Sequence, residues 1–288
     1  MQAHTGRISA QTQLLGILGH PVAHSLSPVI HNAALRHDGL DMVYLAFDVA
    51  PEQLDVAVQA VRTLHMRGVN VTVPHKETAL RLMDDVDPLA SRVGAINTIV
   101  NDQGRLLGHN TDVTGFTSAV DSVLPEGVGG LECLVVGAGG AARAVVAALV
   151  EQGAKRVRIY NRTPDRALAL SLAACDWGQT TCETVSLEEL PTAVRTADVL
   201  VNATPIGLAG GIKEPPFPVD KLHSSHVVVD LAYSLSTTTL VQTARGKGAV
   251  AIDGREMLIM QAVASYRLWT GLRAPIDVMR RSIDHGER

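Results

Sequence analysis

Apolar residues recur along this chain in two alternating rhythms. Runs of strand length, Leu14–Gly19 (LLGILG), Met42–Val49 (MVYLAFDV) and Gly68–Val73 (GVNVTV), alternate with stretches of helical period near Pro28–Asp38 and Pro51–Met66. That alternation predicts an α/β fold with a parallel or mixed sheet and helices on its faces. Ser27-Pro28 marks a helix start, with Ser27 as N-cap and Pro28 at the first helical position. After about residue 112 the rhythm tightens. The stretch LECLVVGAGGAARAVVAALVEQGAKRVRIYNRT, Leu131–Thr163, reads strand, glycine-rich turn, helix, strand within the length of one βαβ unit. Further strands are predicted within Asp198–Thr204, His226–Ala232 and Ala249–Asp253, and a last helix over Arg255–Thr270. No repeat, low-complexity tract or long linker interrupts the series, so any hinge between domains is short.

Composition narrows the class. At 288 residues the chain exceeds what most single cores hold, and two domains are expected. With 46% hydrophobic and 19% charged residues, disorder and coiled coil are excluded. The net charge of −4 comes with no basic stripe, which argues against a nucleic-acid partner. The polar start, MQAHTGRISA, lacks the apolar core of a secretory signal, and the apolar run Ala144–Val150 is too short to span a bilayer. Cys133, Cys175 and Cys182 form no C-x-x-C pair, which points away from a disulfide framework and toward a reducing cytoplasm. His20, His24, His31 and His75 are candidate metal ligands, but Pro21 breaks the i,i+4 pair His20/His24 and no complete ligand pattern is visible. No metal is expected.

Gly137-Ala138-Gly139-Gly140-Ala141-Ala142 reads G-x-G-x-x-A between a strand and an Ala/Val-rich helix. The first glycine permits a tight turn. Gly139 lets backbone approach a pyrophosphate at the helix N-terminus, and Ala142 keeps helix and strand close. Alone the turn could be structural; its βαβ setting makes it a dinucleotide site. The following strand, VRIY, ends in Asn161-Arg162-Thr163, with Arg166 one turn on, where an NAD site usually carries an acid. A guanidinium and a hydroxyl suit a 2′-phosphate, so NADP(H) is the expected cofactor. A solvated arginine surface is the competing interpretation.

In the first half, Ser25 and Ser27 place two hydroxyls near a helix start, which suits a carboxylate, although Ser27 could simply cap the helix. Lys76 follows an apolar strand and Asp112 sits where the domain boundary is expected; by themselves they could be a surface lysine and a capping acid. Asn97 and Gln261 carry amides that both donate and accept, as neighbouring ring hydroxyls require.

The segments GHPVAHSLSPVIHN (Gly19–Asn32), NVTVPHK (Asn70–Lys76), GAINTIV (Gly94–Val100), GHNTDVTGF (Gly108–Phe116), GAGGAARA, NRTPDRA, VNATPIGL and DGREMLIMQA occur in one fixed order. In that order the sequence resembles the shikimate dehydrogenase family over nearly its whole length. The resemblance implies an N-terminal α/β substrate domain over 1–112 plus returning helices from 254–288, and a Rossmann-like NADP-binding domain over 113–253. It implies reversible reduction of 3-dehydroshikimate to shikimate, a step of aromatic amino acid biosynthesis. By resemblance Lys76 and Asp112 form the catalytic pair, in which an ammonium stabilises and protonates the developing alkoxide. Ser25 and Ser27 would hold the carboxylate, with Thr72, Asn97, Asp112, Tyr233 and Gln261 on the rest of the substrate. Gly137, Ala138, Gly139, Gly140, Ala141, Asn161, Arg162, Thr163, Arg166, Thr204, Pro205, Leu231 and Gly254 would line the cofactor. Met257 would pack near the nicotinamide or simply fill the core.

Two segments depart from the family pattern. Ser234-Leu235 replaces the usual Asn-Pro after Tyr233, and Arg255-Glu256 replaces small residues before Met257-Leu258. Two rival functions follow: a quinate/shikimate dehydrogenase of relaxed substrate or cofactor choice, and a catalytically silent NADP-binding sensor. The retained serine pair and arginine loop count against the first, and Lys76 with Asp112 against the second. The expected partner is the small-molecule substrate, with self-association into a homodimer left open.

Overall fold

The structure is a computed structural model that describes residues 8–207, 214–233 and 237–284. Its chain divides into two compact units, one running through Thr111 and resuming at Leu258, the other spanning Asp112–Met257.

The first unit contains β1 (Gln13–Gly19), α1 (Ser27–His37), β2 (Met42–Asp48), α2 (Leu54–Thr63), β3 (Gly68–Val71), α3 (Lys76–Leu80), β4 (Asp85–Val86), α4 (Pro88–Val93), β5 (Thr98–Asp102) and β6 (Arg105–His109). Its strands form one sheet in the order β2-β1-β3-β5-β6-β4. The sheet is mixed: β2, β1 and β3 run parallel, while β5 is antiparallel to both β3 and β6. The β5–β6 hairpin turns on Gln103 and Gly104, both at positive φ (52° and 92°), where the missing Cβ of Gly104 removes the steric penalty. One sheet face buries Leu15, Ile17 and Tyr44 against Ile30 and Leu35 of α1 and Trp269; the other buries Leu18, Val69 and Ile99 against Leu54, Val58 and Val61. Those last three lie at i, i+4 and i+7 and give α2 its apolar stripe. The helix expected over Pro51–Met66 is shorter than its pattern suggests. A 3-10 turn occupies Pro51–Gln53, and the helix stops at Thr63, where His65 adopts a left-handed φ of 49°. The strand expected over Gly68–Val73 ends at Val71, just before Pro74, which has no N–H to donate.

The second unit begins in α5 (Thr111–Asp121) and continues through β7 (Glu132–Val136), α6 (Gly140–Glu151), β8 (Arg156–Tyr160), α7 (Pro164–Ala174), β9 (Thr181–Thr184), α8 (Leu190–Thr196), β10 (Val199–Asn202), β11 (Val227–Asp230), α9 (Thr239–Gly246) and β12 (Val250–Ile252). Helix α10 (Gly254–Thr270) starts in this unit and ends in the first, where α11 (Ile276–Asp284) follows. The six strands are all parallel, in the order β9-β8-β7-β10-β11-β12. Renumbered from β7, this is 3-2-1-4-5-6, the doubly wound dinucleotide-binding order. Parallel strands covered on both faces carry continuous apolar runs, as in β7, β10 and β11. Helix α6 is apolar almost all round, and from Ala144 to Val150 every residue is buried.

Candidate active site

At the carboxyl ends of the first sheet, β1 and β3 bring Gly19 and Thr72 together. A Cβ on Gly19 would stand 2.4 Å from the Thr72 methyl, so only glycine lets Thr72 lie over the strand end. The loop after β1 carries Ser25 and Ser27 into α1. The expectation that Ser27 is the N-cap is corrected: Leu26 occupies that place, and the helix already includes Ser27 with no side-chain cap. Leu26 is itself in the right-handed helical region, which starts the helix one residue earlier. The local hydroxyl acceptor is Ser25, whose Oγ receives the Ser27 N–H at 3.3 Å. Ser27 is buried and Ser25 half-buried.

Lys76 is the first residue of α3 and half-buried. The turn before it is pinned by His75, whose buried ring donates to the Val49 carbonyl at 2.7 Å, and the Lys76 carbonyl accepts from Ile96 N–H at 3.0 Å. Asn97 and Thr98 lie where β5 starts beside β3, in contact with Thr111, the last residue of the first unit. The Asn97 Oδ1 accepts the Thr111 N–H at 2.7 Å, which turns Nδ2 toward Thr111 Oγ1 at 2.9 Å and Gln261 Oε1 at 3.5 Å. Asn97, Thr111 and Gln261 are all buried, and so is Asp112, directly after Thr111 in the first turn of α5. Two carboxamides are thereby fixed in one cluster that also sets the start of the Asp112 helix.

In the second unit Gly137 closes β7 at a φ of 123° and accepts no substituent: a Cβ would stand 2.7 Å from the Ala203 carbonyl oxygen at the end of β10. That contact sits between β7 and β10, where the strand order reverses and open α/β sheets bind ligands. Gly139 differs. It precedes α6 with no side-chain cap, at φ −92°, and a Cβ there would meet no described atom within 4 Å. No described neighbour requires a glycine at that point, whereas a pyrophosphate approaching the first-turn N–H groups of Gly140 and Ala141 would. Ala138 is buried behind the turn, and Ala142 packs fully buried beneath it. Beyond β8, Asn161 Nδ2 donates to the Thr163 carbonyl at 2.9 Å and shapes the turn that presents Arg162 and Thr163 to solvent. Arg162 has no hydrogen-bond or ion-pair partner among the described residues, and Arg166 is exposed one turn into α7. The donor set fits a dinucleotide with a 2′-phosphate.

The remaining cofactor candidates are organised by a buried pair absent from the sequence-based candidates. Asp230 and Asn202 end β11 and β10, fully buried, with Asn202 Nδ2 donating to Asp230 Oδ1 at 2.7 Å. Asn202 Oδ1 accepts from Thr204 N at 3.0 Å and Thr204 Oγ1 at 2.6 Å, which places Thr204 and Pro205. Asp230 accepts from Ala232 N, which holds Leu231 at the strand end with half-buried Tyr233 after it, and from Thr238, the N-cap of α9. Burial raises the Asp230 carboxyl above the ordinary aspartate range, against the hydrogen bonds from Thr238, Asn202 and Ala232 that lower it. Gly254 packs on the same strand end: a Cβ would lie 2.5 Å from the Ala232 carbonyl oxygen. Met257 is buried. Leu208 of the VNATPIGL motif and the departure at Ser234-Leu235 lie outside the described residues, whereas Arg255 is described and pairs with Asp253 at 3.2 Å. A lone polar residue at the end of an apolar parallel strand, as in VLVN and VVVD, is the signal that would have found Asn202 and Asp230.

Among the described residues no group of three or more His, Cys, Asp or Glu side chains could hold a metal ion, and no helix is long and apolar enough to cross a membrane.

Comparison with known proteins covers nearly the whole chain. A model of the shikimate dehydrogenase substrate binding domain matches residues 17–99, one of shikimate / quinate 5-dehydrogenase matches 122–253, and one of the shikimate 5'-dehydrogenase C-terminal domain matches 254–283. The shikimate dehydrogenase (NADP(+)) of Methanopyrus kandleri is 41% identical over 279 residues, with 96% of each chain covered. The crystal structure of shikimate dehydrogenase from Aquifex aeolicus superposes with a TM-score of 0.88 at 41% identity, covering 96% of this chain and 100% of that one. Shikimate 5-dehydrogenase from Thermus thermophilus, in complex with NADP(H) and shikimate, superposes with a TM-score of 0.83 at 40% identity, covering 94% and 98%.

Proposed function

Because this chain belongs to the shikimate dehydrogenase family, we propose that it catalyses the NADP(H)-dependent interconversion of 3-dehydroshikimate and shikimate, a step toward the aromatic amino acids. The observation that carries this reading is the buried Asn97–Thr111–Gln261 cluster directly before Asp112. Two fixed carboxamides beside a carboxylate suit a small ring with neighbouring hydroxyls. Ser25 and Ser27 hold the ring carboxylate, and Thr72, Asn97, Tyr233 and Gln261 engage its hydroxyls. The substrate domain is 1–112 with 254–288, the cofactor domain 113–253, and the working compartment is the cytoplasm.

The cofactor supplies the hydride for ketone reduction and accepts it in reverse. Gly137, Ala138, Gly139, Gly140 and Ala141 hold its pyrophosphate at the α6 N-terminus. Asn161, Arg162, Thr163 and Arg166 take the 2′-phosphate, and Thr204, Pro205, Leu231 and Gly254 border the nicotinamide. Negative charge grows on the substrate oxygen during reduction. The Lys76 ammonium stabilises it and gives up a proton to it; in the reverse direction neutral Lys76 takes the hydroxyl proton. Asp112 orients the ammonium. Steady-state kinetics with shikimate or quinate, each with NADP+ or NAD+, test the reading. Shikimate with NADP+ should give the highest kcat/KM. A preference for quinate or NAD+, or no turnover in any combination, would overturn it.

A further inference from the structure

We propose that Thr98 is a positioning residue for the substrate site, an inference that rests on the function proposed above. Its side chain is fully buried in β5, next to Asn97, and its hydroxyl meets four polar groups. They are Asn70 Nδ2 at 3.0 Å, Asn97 Oδ1 at 3.1 Å, Thr111 Oγ1 at 3.2 Å and Ser265 Oγ at 2.9 Å.

Proton accounting orients both carboxamides of this cluster. Backbone Thr111 N–H can only donate, so the Asn97 atom it meets is the carboxamide oxygen. Asn70 is oriented the same way: Tyr44 Oη donates to its oxygen at 2.7 Å, and its nitrogen donates to the Asn97 carbonyl at 3.1 Å. Each hydroxyl has one proton to give. Ser265 gives its own to the Gln261 carbonyl at 3.1 Å, one helical turn back in α10. Thr111 accepts from Asn97 Nδ2 and gives its proton to Ser265 at 3.0 Å. Thr98 accepts from Asn70 and shares its one proton between the Asn97 oxygen at 3.1 Å and Ser265 Oγ at 2.9 Å. In this arrangement every hydroxyl both accepts and donates, and a buried network of this kind is rigid when complete.

Thr98 therefore fixes two substrate-facing groups through others. It holds the Asn97 carboxamide directly. Through Ser265, which lies on the same helix face as Gln261, it sets the rotation of α10 and hence the Gln261 amide. Valine at 98 has nearly the same shape but neither donates nor accepts, while serine keeps the hydroxyl and loses a methyl.

The test is steady-state kinetics with shikimate and NADP+ on the intact protein, with thermal midpoints alongside. Thr98→Val should raise the shikimate KM by roughly tenfold, the worth of one to two net hydrogen bonds. It should leave the NADP+ KM at the wild-type value. Thr98→Ser should return the shikimate KM to near wild type even though the lost methyl lowers the thermal midpoint. If Thr98→Val does not fold, Ser265→Ala takes its place with the same expectation: a raised shikimate KM and an unchanged NADP+ KM. An unaltered shikimate KM in the folded variant, or equal rises in both KM values, would overturn the positioning role while leaving the proposed function standing. Absence of shikimate turnover in the wild type would overturn both.

Discussion

His31 offers the most quantitative check on the first unit. Its ring is fully buried, stacked on Tyr44 at 4.4 Å between centroids and 11° between planes, with Trp269 at 5.3 Å. Neither ring nitrogen has a hydrogen-bond partner among the described residues. Burial lowers its pKa from 6.5 to about 3. The folded value lies below the unfolded one, so as pH falls the unfolded chain binds this proton first. The stability contributed by neutral His31 is complete above about pH 6.5 and is lost as pH falls toward about 3. At about 1.4 kcal/mol per pKa unit, the full coupling is about 5 kcal/mol, of which about 2 kcal/mol is already lost at pH 5. Phenylalanine at 31 keeps an aromatic ring in the stack and removes the titration. The assay is urea unfolding at pH 8 and pH 5, followed by the fluorescence of Trp269 in a Trp177→Phe background. Wild type should lose about 2 kcal/mol more than His31→Phe between the two pH values. Equal losses would refute the account of a neutral, unpartnered His31 in the core.

Other predictions concern the cofactor and the chemistry. Lys76→Ala should lower kcat by roughly two to four orders of magnitude, while NADPH binding followed by fluorescence titration stays near wild type. Arg162→Ala should raise the NADP+ KM by roughly tenfold, because one exposed charge-assisted contact is lost, and should leave the NAD+ KM unchanged in the same assay. The two glycines of the turn should separate. Gly137→Ala meets the Ala203 carbonyl at 2.7 Å and sits at φ 123°, so thermal denaturation should show a loss of more than about 1 kcal/mol. Gly139→Ala meets no described atom within 4 Å; its thermal midpoint should hold while its NADP+ KM rises.

The sequence pattern revealed those parts of the fold that rest on short-range rules. The glycine-rich turn, the apolar strands β7, β10 and β11 and the last long helix each lie within a window where period and turn chemistry decide. The helix start at Ser27 was off by one residue, since a Ser-Pro pair looks alike whether Ser caps the helix or begins it. The β5–β6 hairpin was hidden because its Asp-Gln-Gly turn joins two strands already absorbed into separate motifs. Long-range polar contacts left no local trace. Thr98 and Ser265 are 167 positions apart, yet lie 2.9 Å from each other in the cluster that orients Asn97. His31 carries the same lesson: on the sequence it is a candidate ligand, and in the fold it is an aromatic filler between Tyr44 and Trp269.

The proposed reaction reduces the 3-keto group of a carboxylated ring with NADPH. The most direct measurement is NADPH consumption on adding 3-dehydroshikimate to the purified protein, with the product identified by chromatography. NADPH absorbance should fall in proportion to the 3-dehydroshikimate added, with shikimate as the product and NADH a far poorer reductant. Unchanged NADPH absorbance, or a product other than shikimate, would contradict it.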